Sequence, residues 1–189
     1  GAALAAGAVG LSTGTYYQPA AHATTEEIIA VAQPLKAYGG RYVTHLRNED
    51  DRIVDAMEET FRIGREIGVP VIISHHKVVG RNNFGRSTET LALLRKTAEN
   101  QSVCLDCYPY TASSTILRTD RIGLSSRILI TWSKPHPEFA GMELAKAAER
   151  LGVSQEQAAT MLSPAGAIYF SMDEADVQRI LQFDETMIG

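Results

Sequence analysis

The stretch VPVIISHHK (69–77) runs apolar on both faces and then turns polar at Ser74-His75-His76-Lys77. A strand apolar on both faces belongs inside a parallel sheet covered by helices, because only there are both faces dry. Upstream, Ile53, Met57, Phe61 and Gly64 recur at helical spacing after Asp50-Asp51, with Gly68 as the stop. Before that helix, RYVTHL (41–46) is β-branched and aromatic, the composition of a strand. Downstream, Ser87 is expected to cap a helix carrying Leu91, Leu94 and Ala98, and Asn100 to end it. SVCLDCYPY (102–110) then reads as the next strand. Strand, helix, strand, helix, strand with short links predicts an α/β chain, as a barrel or a doubly wound sheet.

The outer segments extend this rhythm. Ala2 to Ala8 favours helix. Val9 to Leu11 is a short apolar run, and Ser12-Thr13-Gly14 reads as a loop. Thr24 and Glu27 fit a capping box for a helix with Ile28, Val31, Leu35 and Tyr38 on one face, kinked by Pro34 and stopped by Gly39-Gly40. After Tyr110 the rhythm breaks. RILITW (127–132) is apolar, and helices are expected over 142–151, over 154–162 with Ser154 three residues before Gln157, and over 173–183. The organisation expected is a βα region over 1–110, an insertion over 111–170 and a return to the βα pattern over 171–189. The first residue is Gly, no signal peptide is recognisable, and both ends read as cuts inside structure, so a fragment is expected.

Composition excludes several classes. The 189 residues carry 18 Lys plus Arg against 22 Asp plus Glu, a formal charge of -4, so no basic surface for nucleic acid is expected. No apolar run is long enough to span a membrane, and a cytoplasmic setting is expected. Apolar residues at 44% exclude a disordered chain. Cys104 and Cys107 show a C-x-x-C spacing, but residues i and i+3 of a strand face opposite ways, so two buried structural thiols are expected.

Each clear strand finishes in a polar cluster: THLRNED, SHHK and DCYPYTASS. In a (β/α)8 barrel the strand C-termini build the active site. His45, His75, Lys77, Asp106 and Tyr108 would then converge. His45 and His75 at neighbouring strand ends suit a metal pair, against the alternative of core histidines bonded to backbone carbonyls. His75 and His76, as strand neighbours, are expected to face opposite ways, while His22 and His136 read as surface residues. The chain has no G-x-S-x-G, P-loop or G-x-G-x-x-G, and TASST (111–115) reads equally as caps and turns.

GLSTGTYYQPA (10–20), YVTHLRNE (42–49), VPVIISHHKVVGRNNFGRSTETL (69–91), LDCYPYTASST (105–115), KPHPEFAGMEL (134–144) and TMIG (186–189) occur in this order. Together they resemble the N-acyl-D-amino-acid deacylases of the zinc-dependent amidohydrolase superfamily. The resemblance implies a partial (β/α)8 TIM-type barrel, about strands four to eight, with 111–170 as a lid. It implies Zn²⁺ held by His45 and His75, with the remaining ligands before residue 1. It implies a carboxylate clamp of Tyr17, Lys77, Tyr108 and Ser114, and Tyr169 and Met172 near the substrate side chain, with Tyr16 a further candidate. The family's catalytic aspartate would fall just beyond Gly189, so no catalytic residue is assigned within the chain. The implied substrate is a small N-acyl-D-amino acid, with no nucleic acid or membrane partner. Three alternatives stay open: a deacylase for N-acyl-D-glutamate or N-acyl-D-aspartate, a cyclic-amide hydrolase, and a fragment without catalysis. Against the cyclic-amide reading, GLSTG lacks the bridging lysine such enzymes usually carry on the fourth strand.

Overall fold

A computed structural model describes residues 1–189. In chain order the elements begin with α1 (Ala2–Ala5), β1 (Gly10–Gly14), α2 (Thr25–Ala32), β2 (Arg41–His45) and α3 (Ile53–Ile67). Then follow β3 (Val71–Ile73), α4 (Ser87–Ala98), β4 (Val103–Cys107), β5 (Ala112–Ile116) and β6 (Arg127–Ser133). The last are α5 (Leu144–Leu151), α6 (Gln155–Leu162), β7 (Ala165–Phe170), α7 (Glu174–Leu181) and β8 (Thr186–Ile188). Two compact units emerge, one of residues 1–78, 85–109 and 175–189, the other of 79–84 and 110–174. Residues 79–84, read from sequence with the βα region, thus fall in the second unit. No helix is long and apolar enough to cross a membrane.

The first unit is an α/β fold around a five-stranded, all-parallel sheet in the order β1-β2-β3-β4-β8. Thr44 pairs with Ile73, and Ile73 with Leu105, so the first four strands end at one edge. Ile53, Met57, Phe61, Val71, Ile73, Leu94 and Leu105 form the centre of its core. Each such side chain taken from water contributes roughly 1.5–3 kcal/mol. Gly68 ends α3 in the left-handed region, at φ 75°, where a Cβ would be strained.

Local chemistry explains several departures from the sequence reading. Ser12, Thr13 and Gly14 belong to β1, not a loop; Thr13 Oγ1 lies 2.8 Å from the Tyr42 hydroxyl and 2.7 Å from Thr44 Oγ1, so its polar side chain is satisfied across the sheet. The capping box at Thr24 forms, Glu27 N donating to Thr24 Oγ1 and Thr24 N to Glu27 Oε2. Pro34 lacks an N–H, and the chain tightens into a 3₁₀ segment over Gln33–Tyr38. The buried face is Ile28, Ile29 and Ala32 of α2 with Leu35 of the 3₁₀ segment, and both Val31 and Tyr38 are exposed. Helix α3 begins at Ile53 rather than at Asp50-Asp51, because Asn48 Oδ1 accepts from both Asp50 N and Arg52 N. Ser87 lies inside α4 rather than at its cap. The buried Asp176 carboxylate, from α7, accepts from Gly85 N and Ser87 N instead.

The second unit holds a three-stranded antiparallel sheet, β5-β7-β6. Two of its strands, β5 and β7, have no counterpart in the sequence reading. Helices α5 and α6 contribute Leu144, Ala147, Ala158 and Leu162 to the core of this unit, with Ile130 and Ala167 from the sheet. The expected Ser154–Gln157 capping box is present on α6.

Candidate metal and carboxylate site

Strand β2 ends on His45, whose carbonyl accepts from Thr15 Oγ1 at 3.1 Å. Strand β3 ends at Ile73, and the chain then turns at Ser74-His75 rather than extending to His76. His75 takes φ 41°, the one non-glycine residue with positive φ. Asp106, in β4, holds this turn: its Oδ1 accepts from His75 N at 2.6 Å and its carbonyl from His76 N at 2.7 Å. A left-handed residue costs energy, and such residues persist where the surroundings fix them.

The turn separates the two histidines as the sequence reading expected, by a backbone reversal rather than by strand alternation. His76 is buried, with Nε2 2.9 Å from Thr90 Oγ1 of α4. Burial, then the nearby Lys77 charge, lowers its imidazole to about 4. His75 instead turns to His45, placing its Nε2 3.0 Å from His45 Nδ1. Tyr17 and Tyr16, in the loop after β1, lie with ring centroids 5.1 and 5.4 Å from the His45 ring. His22 is exposed and His136 half-buried.

Glu49, four residues after His45, was not singled out from sequence. The structure makes it the charged centre of the cluster, with a side chain only 4% exposed. Its Oε2 is 3.6 Å from His45 Nε2, and its Oε1 is 3.6 Å from His75 Nδ1. Lys77 Nζ donates to Glu49 Oε1 at 2.5 Å and lies 2.8 Å from His75 Nδ1. Burial alone would raise the Glu49 carboxyl, but Lys77, His75 and His45 outweigh it and hold the group well below the ordinary carboxylate range. Lys77 is no surface charge: its side chain is 5% exposed and its Nζ sits 5.7 Å from the Tyr108 ring centroid. The only sequence signal for Glu49 was its helix-like spacing from His45 in a segment that read as a polar loop.

Arg47 is a second residue the sequence reading passed over. Its guanidinium grips Glu59 through Nε and a terminal nitrogen, both at 2.8 Å, and donates to the Ala21 and Ala23 carbonyls, each at 2.9 Å. It thereby ties the loop that follows β1, where Tyr16 and Tyr17 lie, to α3.

The remaining candidates lie in the second unit. Ser114 is exposed on β5, opposite Ile168. Tyr169 is fully buried on β7; its hydroxyl accepts from Arg118 N at 2.7 Å and donates to the Ile116 carbonyl at 2.9 Å. Met172 is 7% exposed, and its N–H donates to the Thr111 carbonyl. Both cysteines are free thiols. Cys107 is buried, but Cys104 is half-exposed, in place of the full burial expected, because its alternate position on β4 faces away from the core.

His45, Glu49 and His75 each offer one ligand atom, and these atoms lie within 4.8 Å of one another. The two imidazoles suit a borderline divalent cation, whereas the Glu49 carboxylate already has the Lys77 ammonium at 2.5 Å.

No family model matches the chain. Its α/β fold is nevertheless matched by solved structures of metal-dependent amide hydrolases. A D-aminoacylase structure concerned with a binuclear metal centre, its one-metal activation and second-metal attenuation, matches with TM-score 0.95 and 59% identity, over 99% of this chain and 40% of that one. The N-acyl-D-glutamate deacylase of Bordetella bronchiseptica, solved with zinc and a phosphonate mimic of the tetrahedral intermediate, matches with TM-score 0.96 and 46% identity, over 100% of this chain and 40% of that one. The D-aminoacylase of Alcaligenes xylosoxydans xylosoxydans is 59% identical over 187 residues, 99% of this chain and 39% of the relative. The resemblance to the N-acyl-D-amino-acid deacylases therefore holds along essentially the whole chain, which spans about two fifths of the relatives' length.

Proposed function

We propose that this chain contributes the strand-end metal and substrate residues of an enzyme that hydrolyses N-acyl-D-amino acids to a D-amino acid and a carboxylate. The observation that carries this reading is the convergence of His45 and His75, with the Glu49–Lys77 pair, at adjacent parallel strand ends. The sequential, all-parallel order of β1 to β4 and β8 supports reading the first unit as consecutive strands of a (β/α)8 barrel.

In this reading His45 and His75 hold zinc, consistent with their donor geometry and with the zinc in the N-acyl-D-glutamate deacylase structure. Bound zinc supplies Lewis acidity and brings the pKa of a coordinated water to roughly 7. Asp106 fixes the His75 turn and so the direction of that ring. Lys77 and the hydroxyls of Tyr17 and Tyr108 bind the substrate carboxylate, whereas Tyr169, fully buried in the core of the second unit with its hydroxyl already bonded, is given no substrate role. With the carboxylate held at that point, the configuration at the α-carbon decides whether the amide is presented to the metal. No general base is assigned to these 189 residues.

The test is hydrolysis of N-acetyl-D-methionine and its L-enantiomer by the complete reading frame with zinc, beside N-acetyl-D-glutamate and N-acetyl-D-aspartate. D-selective turnover of the methionine derivative is expected. Turnover of the acidic substrates alone would assign the chain to their deacylases, and turnover of none, with zinc bound, would overturn the reading.

A further inference from the structure

We propose that Glu49 is a positioning residue that holds the Lys77 ammonium beside His75, so that a substrate carboxylate is met at a fixed distance from the histidine pair. This rests on the deacylase reading above and deepens it. One carboxylate, 4% exposed, lies 2.5 Å from Lys77 Nζ and 3.6 Å from a ring nitrogen of each histidine. Burying an ion pair costs desolvation, and apolar residues of similar volume usually serve a core as well. A buried pair at the junction of a metal cluster and a carboxylate clamp therefore calls for a use. Lysine is a point charge on a flexible four-carbon stem. Left alone, its ammonium would sample many positions. Glu49 and His75 pin it from two sides, and the Tyr108 ring lies 5.7 Å away. The Glu49 charge also balances Lys77, so the cluster does not repel a divalent cation at the histidines.

Glu49 acts through Lys77, which gives the test its form. Glu49→Gln, Glu49→Asp, Lys77→Met and the double variant E49Q/K77M are made in the complete, zinc-loaded protein. E49Q should raise KM for N-acetyl-D-methionine about tenfold or more while kcat stays within about threefold. K77M should do the same, the double variant should be no worse than K77M, and E49D should recover part of the loss. Zinc content should equal that of the wild type throughout. Independently of turnover, the Lys77 ammonium should give a slowly exchanging ¹⁵N resonance that K77M removes and E49Q broadens away. Additive KM effects, or a resonance unchanged in E49Q, overturn the proposal. So does zinc lost from E49Q but kept by K77M, which would make Glu49 a metal ligand. If E49Q does not fold, E49D and the charge-balanced double variant decide by the same comparisons. If the wild type turns nothing over, the deacylase reading falls, while the resonance still decides whether Glu49 holds Lys77.

Discussion

His45 ends β2 and His75 lies in the turn after β3, yet their ring nitrogens approach to 3.0 Å, with Asp106 Oδ1 accepting from His75 N to hold that turn. A pair fixed from behind in this way loses little freedom on taking up a cation. Replacing either histidine by alanine is expected to weaken zinc binding by more than about a hundredfold, read by competition with a chromophoric chelator. Unchanged affinity in both variants would remove them from the ligand set. Cys107 illustrates the opposite environment. Burial raises its thiol from 9.0 to about 11, with the Lys77 charge opposing. A raised folded-state pKa favours the protonated form, so its contribution to stability is present below pH 9 and lost as pH rises through about 11. At pH 8 native Cys107 should resist iodoacetamide, and urea should release it; rapid native alkylation would contradict this assignment.

Among the elements, α3 shows packing overruling propensity. Gly64 sits inside this helix, where alanine is ordinarily better by about 1 kcal/mol. A Cβ there would fall on Val71 Cγ2 and 2.6 Å from Gln101 Nε2, against β3 and the loop before β4. Overpacking a close contact costs roughly 1–3 kcal/mol, so the net effect of Gly64→Ala is destabilisation. A lower urea midpoint with an unchanged slope is expected, and a higher midpoint would show that β3 yields. The start of α4 shows the same rule for hydrogen bonds: Asp176 reaches from α7 to Gly85 N and Ser87 N, and Arg179 in turn pairs with Asp176. A local cap at Ser87 was never needed.

For the whole molecule, sheet order places β1 and β8 at the edges of the parallel sheet. Strand edges present unpaired N–H and C=O groups to any other chain. The chain also spans about two fifths of the length of its relatives. The 189 residues by themselves are therefore expected to self-associate in sedimentation and to hydrolyse no N-acetyl-D-methionine, while the complete reading frame turns it over. D-selective turnover by the 189 residues alone would show that the edges close without further strands.

Sequence by itself determined the alternation of strands and helices in the first unit, both capping boxes, and the strand-end histidines as metal candidates. These follow from periodicity, composition and contacts three or four residues apart, which a chain carries locally. Tertiary structure alone decided that β5 and β7 pair, since Ser- and Gly-containing strands such as ASSTI and AGAIYF gain their stability from neighbours across the sheet. It alone turned His75 through a left-handed backbone and capped α4 from a helix 89 residues away. It alone made Glu49 the centre of the site, because a carboxylate in a polar loop is ordinary until folding removes its water and brings Lys77 to it. Charge pairing and burial depend on partners distant in sequence, and no local pattern records them.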